Sequence, residues 1–109
     1  MPLAYTAISG QDLSAMGHES ITVAATAVGF TSATITPTTG RPCSRAFVTA
    51  ETAQMRYTYD GTTPTSAVGH LLDVGDVLAV EGITNVVNFK AIRTTASSGT
   101  LMCTYDRFK

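Results

Sequence analysis

The thirty residues from Glu51 to Val80 constrain the fold of this chain more than any other stretch. An alternating run, Gln54–Tyr59, ends at Asp60-Gly61. A polar Thr/Pro loop follows, and a second turn, Asp73-Val74-Gly75-Asp76, feeds the apolar run Val77–Glu81. Met55, Tyr57 and Tyr59 fall on one side of the first run, with Arg56 and Thr58 on the other. This is the period of two of a half-buried strand. Glycine after aspartate supplies the positive φ that a tight turn demands. The unit reads as strand, loop, strand.

The same pattern recurs along the chain. Ile21, Val23, Ala25 and Ala27 share one face, opposite Thr22, Ala24 and Thr26. Gly29 interrupts, and Thr31–Thr36 resumes the pattern with Ala33 and Ile35 inward. Pro37 to Pro42 is a loop, because two prolines and a glycine cannot sit in a central strand. Arg45–Glu51 reads as a strand of ambiguous facing, since Phe47 opposes Ala46, Val48 and Ala50. Leu78 and Val80 point inward from Val77–Glu81. Asn85–Arg93 places Val87, Phe89 and Ala91 on one face, and after Ser97-Ser98-Gly99 the last strand turns Leu101, Cys103 and Tyr105 inward. Short strands at this spacing, seven or eight of them, predict a single all-β antiparallel sandwich or barrel. Residues 1–20 lack clear periodicity and read as an irregular N-terminal arm, with at most a turn of helix around Gln11–Met16. Residues 21–109 form the β-sandwich domain.

Composition agrees. The chain has 109 residues, of which 14% are charged and nineteen are threonine. That length suits one domain with its own core, and threonine, stiff at χ1, suits strands better than helices. The net charge is −1 and the seven basic residues are dispersed, which argues against a nucleic-acid partner. No stretch has the run of about 20 apolar residues that a membrane span needs, and residues 1–20 lack the pattern of a signal peptide. Cys43 and Cys103 form no CxxC, and Cys103 alternates with Leu101 and Tyr105. A buried thiol and folding in a reducing cytosol are the expectation.

The inventory for catalysis is thin. His18 and His70 lie far apart in sequence, and neither belongs to a metal-ligand spacing; His70 reads as a loop imidazole hydrogen-bonded to the turn backbone. Asp60, Asp73 and Asp76 lack the D-x-D-x-D-G density of a Ca²⁺ loop and read as Asx-turn residues. Ser44 and Cys43 have no adjacent histidine, and no G-x-S-x-G elbow occurs. There is no Trp, and Tyr57, Tyr59 and Tyr105 alternate inward as core residues, so an exposed aromatic platform for sugars is not expected. The chain reads as a non-enzyme with no cofactor and no metal.

The run from Ala50 to Thr65, with Arg56-Tyr57-Thr58-Tyr59-Asp60-Gly61-Thr62-Thr63-Pro64-Thr65 at its centre, then Gly69-His70-Leu71-Leu72, Gly75-Asp76 and Asn88-Phe89-Lys90-Ala91-Ile92-Arg93, closing on Thr104-Tyr105, resembles small β-sandwich structural proteins of tailed bacteriophages. The resemblance covers the C-terminal two-thirds of the chain. It implies a jelly-roll-like head decoration or cement protein, made in the host cytoplasm and located on the virion capsid surface. The major capsid protein is its implied partner, bound at subunit junctions by a dimer or trimer. The residues expected to touch a partner are Tyr5 in the arm and Thr62, Thr63, Pro64, Thr65 and His70 in the loop. The competing expectation is a tail or head-fibre module that binds host surface glycans through the Thr62–Leu72 loop, because loops on rigid sandwiches carry recognition.

Overall fold

The computed structural model describes residues 12–109. Seven strands are present among them: β1 (Leu13–Val23), β2 (Arg45–Glu51), β3 (Met55–Thr58), β4 (His70–Leu72), β5 (Val77–Glu81), β6 (Lys90–Arg93) and β7 (Gly99–Phe108). Two short helices interrupt them, α1 (Ser32–Ile35) after β1 and α2 (Ile83–Asn88) after β5. The strands form a four-stranded sheet in the order β1-β7-β2-β5 and a three-stranded sheet in the order β4-β3-β6. Every registered pair is antiparallel. The result is an all-β sandwich.

A single bridge explains the topology. Val28 pairs antiparallel with Ala91, each N–H donating to the other's carbonyl at 2.9 Å. Counted as a one-residue strand between β1 and β2, it completes a nested set of pairs: β1 with β7, Val28 with β6, β2 with β5, β3 with β4. A ribbon paired in this way and rolled so that β7 meets β2 and β6 meets β3 is a jelly roll. Its second strand has shrunk to one residue.

The core lies between the sheets. Val23, Val48, Met55, Phe89, Ala91, Leu101, Cys103 and Tyr105 are all buried there. The facing of β2 resolves with Ala46, Val48 and Ala50 inward and Phe47 outward, 44% exposed. The register shows why: Ala46 sits between Val80 of β5 and Tyr105 of β7, and a small residue there leaves room for the tyrosine. At Gly99 a Cβ would lie 2.9 Å from the Met55 side chain, so the approach of β7 to β3 requires glycine.

Several sequence expectations are corrected. Strand β1 starts at Leu13, eight residues before Ile21, so residues 13–20 are sheet rather than arm and Gln11–Met16 holds no helical turn among the described residues. A register shift between Ala15 and Gly17 hides the alternation there. Beyond Val23 the strand ends, and Ala25 is exposed. Thr31–Thr36 is not a strand: Ser32–Ile35 makes one helical turn that buries Ile35, leaves Ala33 exposed and stops before Pro37. Asn85–Asn88 is helix, because Gly82 at φ 100° turns the chain out of β5 and the following turn buries Val86. Val87 is accordingly 52% exposed, and only Phe89 and Ala91 of its expected face are buried.

Candidate functional site

The residues expected to meet a partner divide. Tyr5 lies outside the described residues. Thr62, Thr63 and Thr65 are exposed, whereas Pro64 is buried under the loop and presents no surface. The loop is tied to the sheet from within. Arg56 donates to the carbonyls of Gly69 (2.7 Å) and Ser66 (3.2 Å), Thr58 donates to the Thr62 carbonyl, and Thr65 accepts from the N–H groups of Ala67 and Val68. Asp60 makes the expected Asx turn, its Oδ1 accepting from the Thr62 N–H at 3.0 Å. The hydrogen bonds from Thr62 hold its carboxyl below the ordinary aspartate value. Asp76 caps backwards instead, accepting from the Asp73 N–H at 2.8 Å, while Asp73 accepts from the Gln54 amide at 2.6 Å.

His70 is not a loop imidazole. It opens β4 directly opposite Tyr57 and contacts rings, not turn backbone. The Tyr57–His70 centroids lie 5.4 Å apart and those of Tyr59–His70 6.2 Å apart. The inward assignment of the tyrosines also needs correction. Tyr105 is fully buried, Tyr57 half-buried and Tyr59 45% exposed. Parity places Tyr57 and Tyr59 on the face of Met55, but Tyr59 lies one residue beyond the end of β3, past the core, so its ring emerges into solvent.

These rings continue a stack that begins deep in the sandwich. Phe30 stacks on Phe89 at 4.4 Å and 6°, Phe89 on Tyr57 at 5.7 Å and 25°, and Tyr57 on Tyr59 at 6.4 Å and 26°. Two clefts border the outermost ring. One, of about 200 Å³, lies between the sheets and is lined by Tyr57, Tyr59, Leu78, Val80, Glu81 and Asn85. The other, of about 240 Å³, is lined by Thr58, Tyr59, Asp60 and His70. Asn85 donates to the Glu81 carbonyl at 2.9 Å, which fixes its amide at the rim. Sequence reasoning missed this cluster, although the parity of Tyr57 and Tyr59 and the turn right after them were signals for it.

His18 and His70 belong to different sheets. His18 faces outward from β1, with Nδ1 3.3 Å from Thr104 Oγ1. Among the described residues no group of three or more His, Cys, Asp or Glu side chains is placed to hold a metal ion, and no helix is long and apolar enough to cross a membrane. A larger apolar groove of about 370 Å³ opens at the same, C-terminal end of β5, between Leu13, Phe108 and Ile83, and shares Glu81 with the first cleft.

The outward face of the four-stranded sheet is the other extended feature. Its central rows, read across the ladder, are Ser20, Met102, Thr49 and Val77, then His18, Thr104, Phe47 and Ala79. Val77 is 58% exposed. Charge is confined to the ends of the face, where Arg45 pairs with Asp106 at 2.7 Å. Compared with protein-family models, curated proteins and solved structures, the chain matches none.

Proposed function

We propose that the protein is a non-enzymatic structural component of a phage virion, a decoration protein that binds the outer head shell at subunit junctions and stabilises it. The observation that carries this reading is the outward face of the four-stranded sheet. Phe47, Thr49, Val77, Ala79 and Met102 make a band without charge, and such a band is covered at little desolvation cost. Strand β5, at the edge of the sheet, adds to it. It carries Val77 and Ala79 with neither lysine nor proline to discourage pairing, and native proteins leave such an edge where something covers it.

The test is reconstitution on mature heads that lack the protein. Saturable binding is expected, with decorated heads surviving heat or low salt better than bare ones. Phe47→Asp and Val77→Asp, both at exposed positions, keep the fold and weaken binding. If the wild-type protein does not bind and bare heads are equally durable, the reading is wrong.

A further inference from the structure

We propose that the cleft around Tyr59 is a binding site for a neutral carbohydrate, with one sugar ring stacked on the phenol ring of Tyr59. The inference goes beyond shell binding and does not rest on it, since the site is carried by Tyr59, which follows β3 of the three-stranded sheet, and only Ala79 borders both the cleft and the uncharged band.

Ring geometry selects the shape of the ligand. Tyr57, Tyr59 and His70 pack in a triangle, centroids 5.4, 6.2 and 6.4 Å apart, with their planes only 26° to 41° from parallel, so the rings lie against one another and enclose no box. A cage for a quaternary ammonium group needs rings around the cation to present several π faces. Rings packed in this way turn their outer sides to solvent, and Tyr59, 45% exposed, is the one of the three that borders both clefts. The ring is also pre-positioned, because the stack behind it reaches Phe89 and Phe30 in the core. Ordering a ligand against a fixed ring costs less than ordering both partners.

The rim selects the ligand's chemistry. Neither cleft is lined by lysine or arginine. A nucleotide or a nucleic-acid strand stacked there would lack the cations its phosphates require. Lys90, opposite Thr58 on the ladder, and Arg56, tied to the loop carbonyls, line neither cleft. The rim holds the carboxylate of Asp60, the amide of Asn85 and the Glu81 carbonyl to which that amide donates. Ionised carboxylates accept only, and amides both donate and accept. That set suits vicinal hydroxyl groups, while the apolar C–H face of a pyranose suits the tyrosine. The site therefore lies on the ring that precedes the Thr62–Leu72 loop, in which the Thr65 hydroxyl accepts from the loop's own N–H groups.

The experiment is a screen of the full chain against neutral oligosaccharides (linear glucans, mannans, galactans and rhamnans), followed by calorimetric titration of the hits. Binding is expected, at least about tenfold weaker in Tyr59→Ala, retained in Tyr59→Phe and reduced in Asn85→Ala. Thermal melts check that each variant is folded. The proposal is overturned if no oligosaccharide binds, or if binding survives Tyr59→Ala unchanged. It is equally overturned if the Tyr59-dependent ligand proves to be tetramethylammonium or oligo-dT.

Discussion

Tyr105, at the centre of β7, donates its phenol proton to the carboxylate of Glu19 on β1, 86 residues away in sequence. Thr31 completes the arrangement, its hydroxyl donating to the other carboxylate oxygen at 2.6 Å and its N–H to the first at 3.3 Å. One acidic side chain thus joins the first strand, the last strand and the entry to α1.

This carboxylate gives the fold a defined acid sensitivity. Partial burial raises the Glu19 pKa, but the hydrogen bonds from Thr31 and Tyr105 outweigh it and hold the group below its ordinary value of 4.5. A depressed folded-state pKa contributes stability that is present above the unfolded value and is lost as pH falls through the folded one. Denaturant midpoints measured from pH 6 to pH 2 are therefore expected to fall below about pH 4.5, and less steeply in Glu19→Gln. Burial, then the Glu19 bond, push the Tyr105 phenol far above its usual value. Its contribution is complete below about pH 10 and declines above that, a decline that Tyr105→Phe removes. At pH 7 Tyr105→Phe costs about 1–2 kcal/mol.

Arg45 and Asp106 test the worth of a partly buried ion pair. Arg45 Nε and Nη2 both donate to Asp106 Oδ2, at 3.0 and 2.7 Å. Asp106→Ala leaves the guanidinium without this partner and is expected to cost about 2–3 kcal/mol, whereas Arg45→Met with Asp106→Leu stays within about 1 kcal/mol of wild type. A double-mutant cycle by chemical denaturation measures both.

Gly29 is needed for space, not for a turn. A Cβ there would lie 2.7 Å from the Phe89 carbonyl oxygen, a backbone atom that cannot swing aside. Gly29→Ala is expected to lower stability by about 2 kcal/mol, accompanied by loss of the neighbouring Val28–Ala91 bridge. Amide exchange at those two residues reads the bridge directly.

Burial raises both thiols, Cys43 above its ordinary value and Cys103 up to about 12. Neither is then a thiolate at neutral pH. Aromatic disulfide reagents should leave both untouched in the folded protein and label two thiols per chain in denaturant. Rapid labelling of Cys103 under native conditions would contradict its place in the core.

The sequence revealed strands where inward and outward residues kept strict time. Strands β5 and β7 do so, β2 was legible as a strand but not in its facing because its large residue, Phe47, points outward, and the Asp60-Gly61 turn stands where its residues demand. The misreadings have separate physical causes. In β1 the extra residue at the Ala15–Gly17 shift breaks the alternation, and Gly17, which reads as a breaker, instead makes room for Thr34 of α1 at 3.2 Å from its missing Cβ. In α2 the β-branched residues Ile83, Thr84, Val86 and Val87 favour strand, and only the φ of Gly82 and the burial of Val86 make it helix. The aromatic cleft was half legible. Alternation correctly put Tyr57 and Tyr59 on one face, but where the core beneath that face ends depends on how far the opposite sheet extends, which no local pattern records.

The ladder between β1 and β7 runs from Leu13 opposite Phe108 to Val23 opposite Gly99, and the Lys109 N–H reaches the Asp12 carbonyl at 3.1 Å. The two ends of the described chain therefore leave the sandwich side by side. A tensile load applied between them acts across this ladder, not along it, so the bonds break one pair after another, from Leu13–Phe108 inward. The same ladder pulled lengthwise would share the load among all its bonds at once. The fold is thus mechanically anisotropic: weak to peeling at its paired ends and strong to shear along its strands.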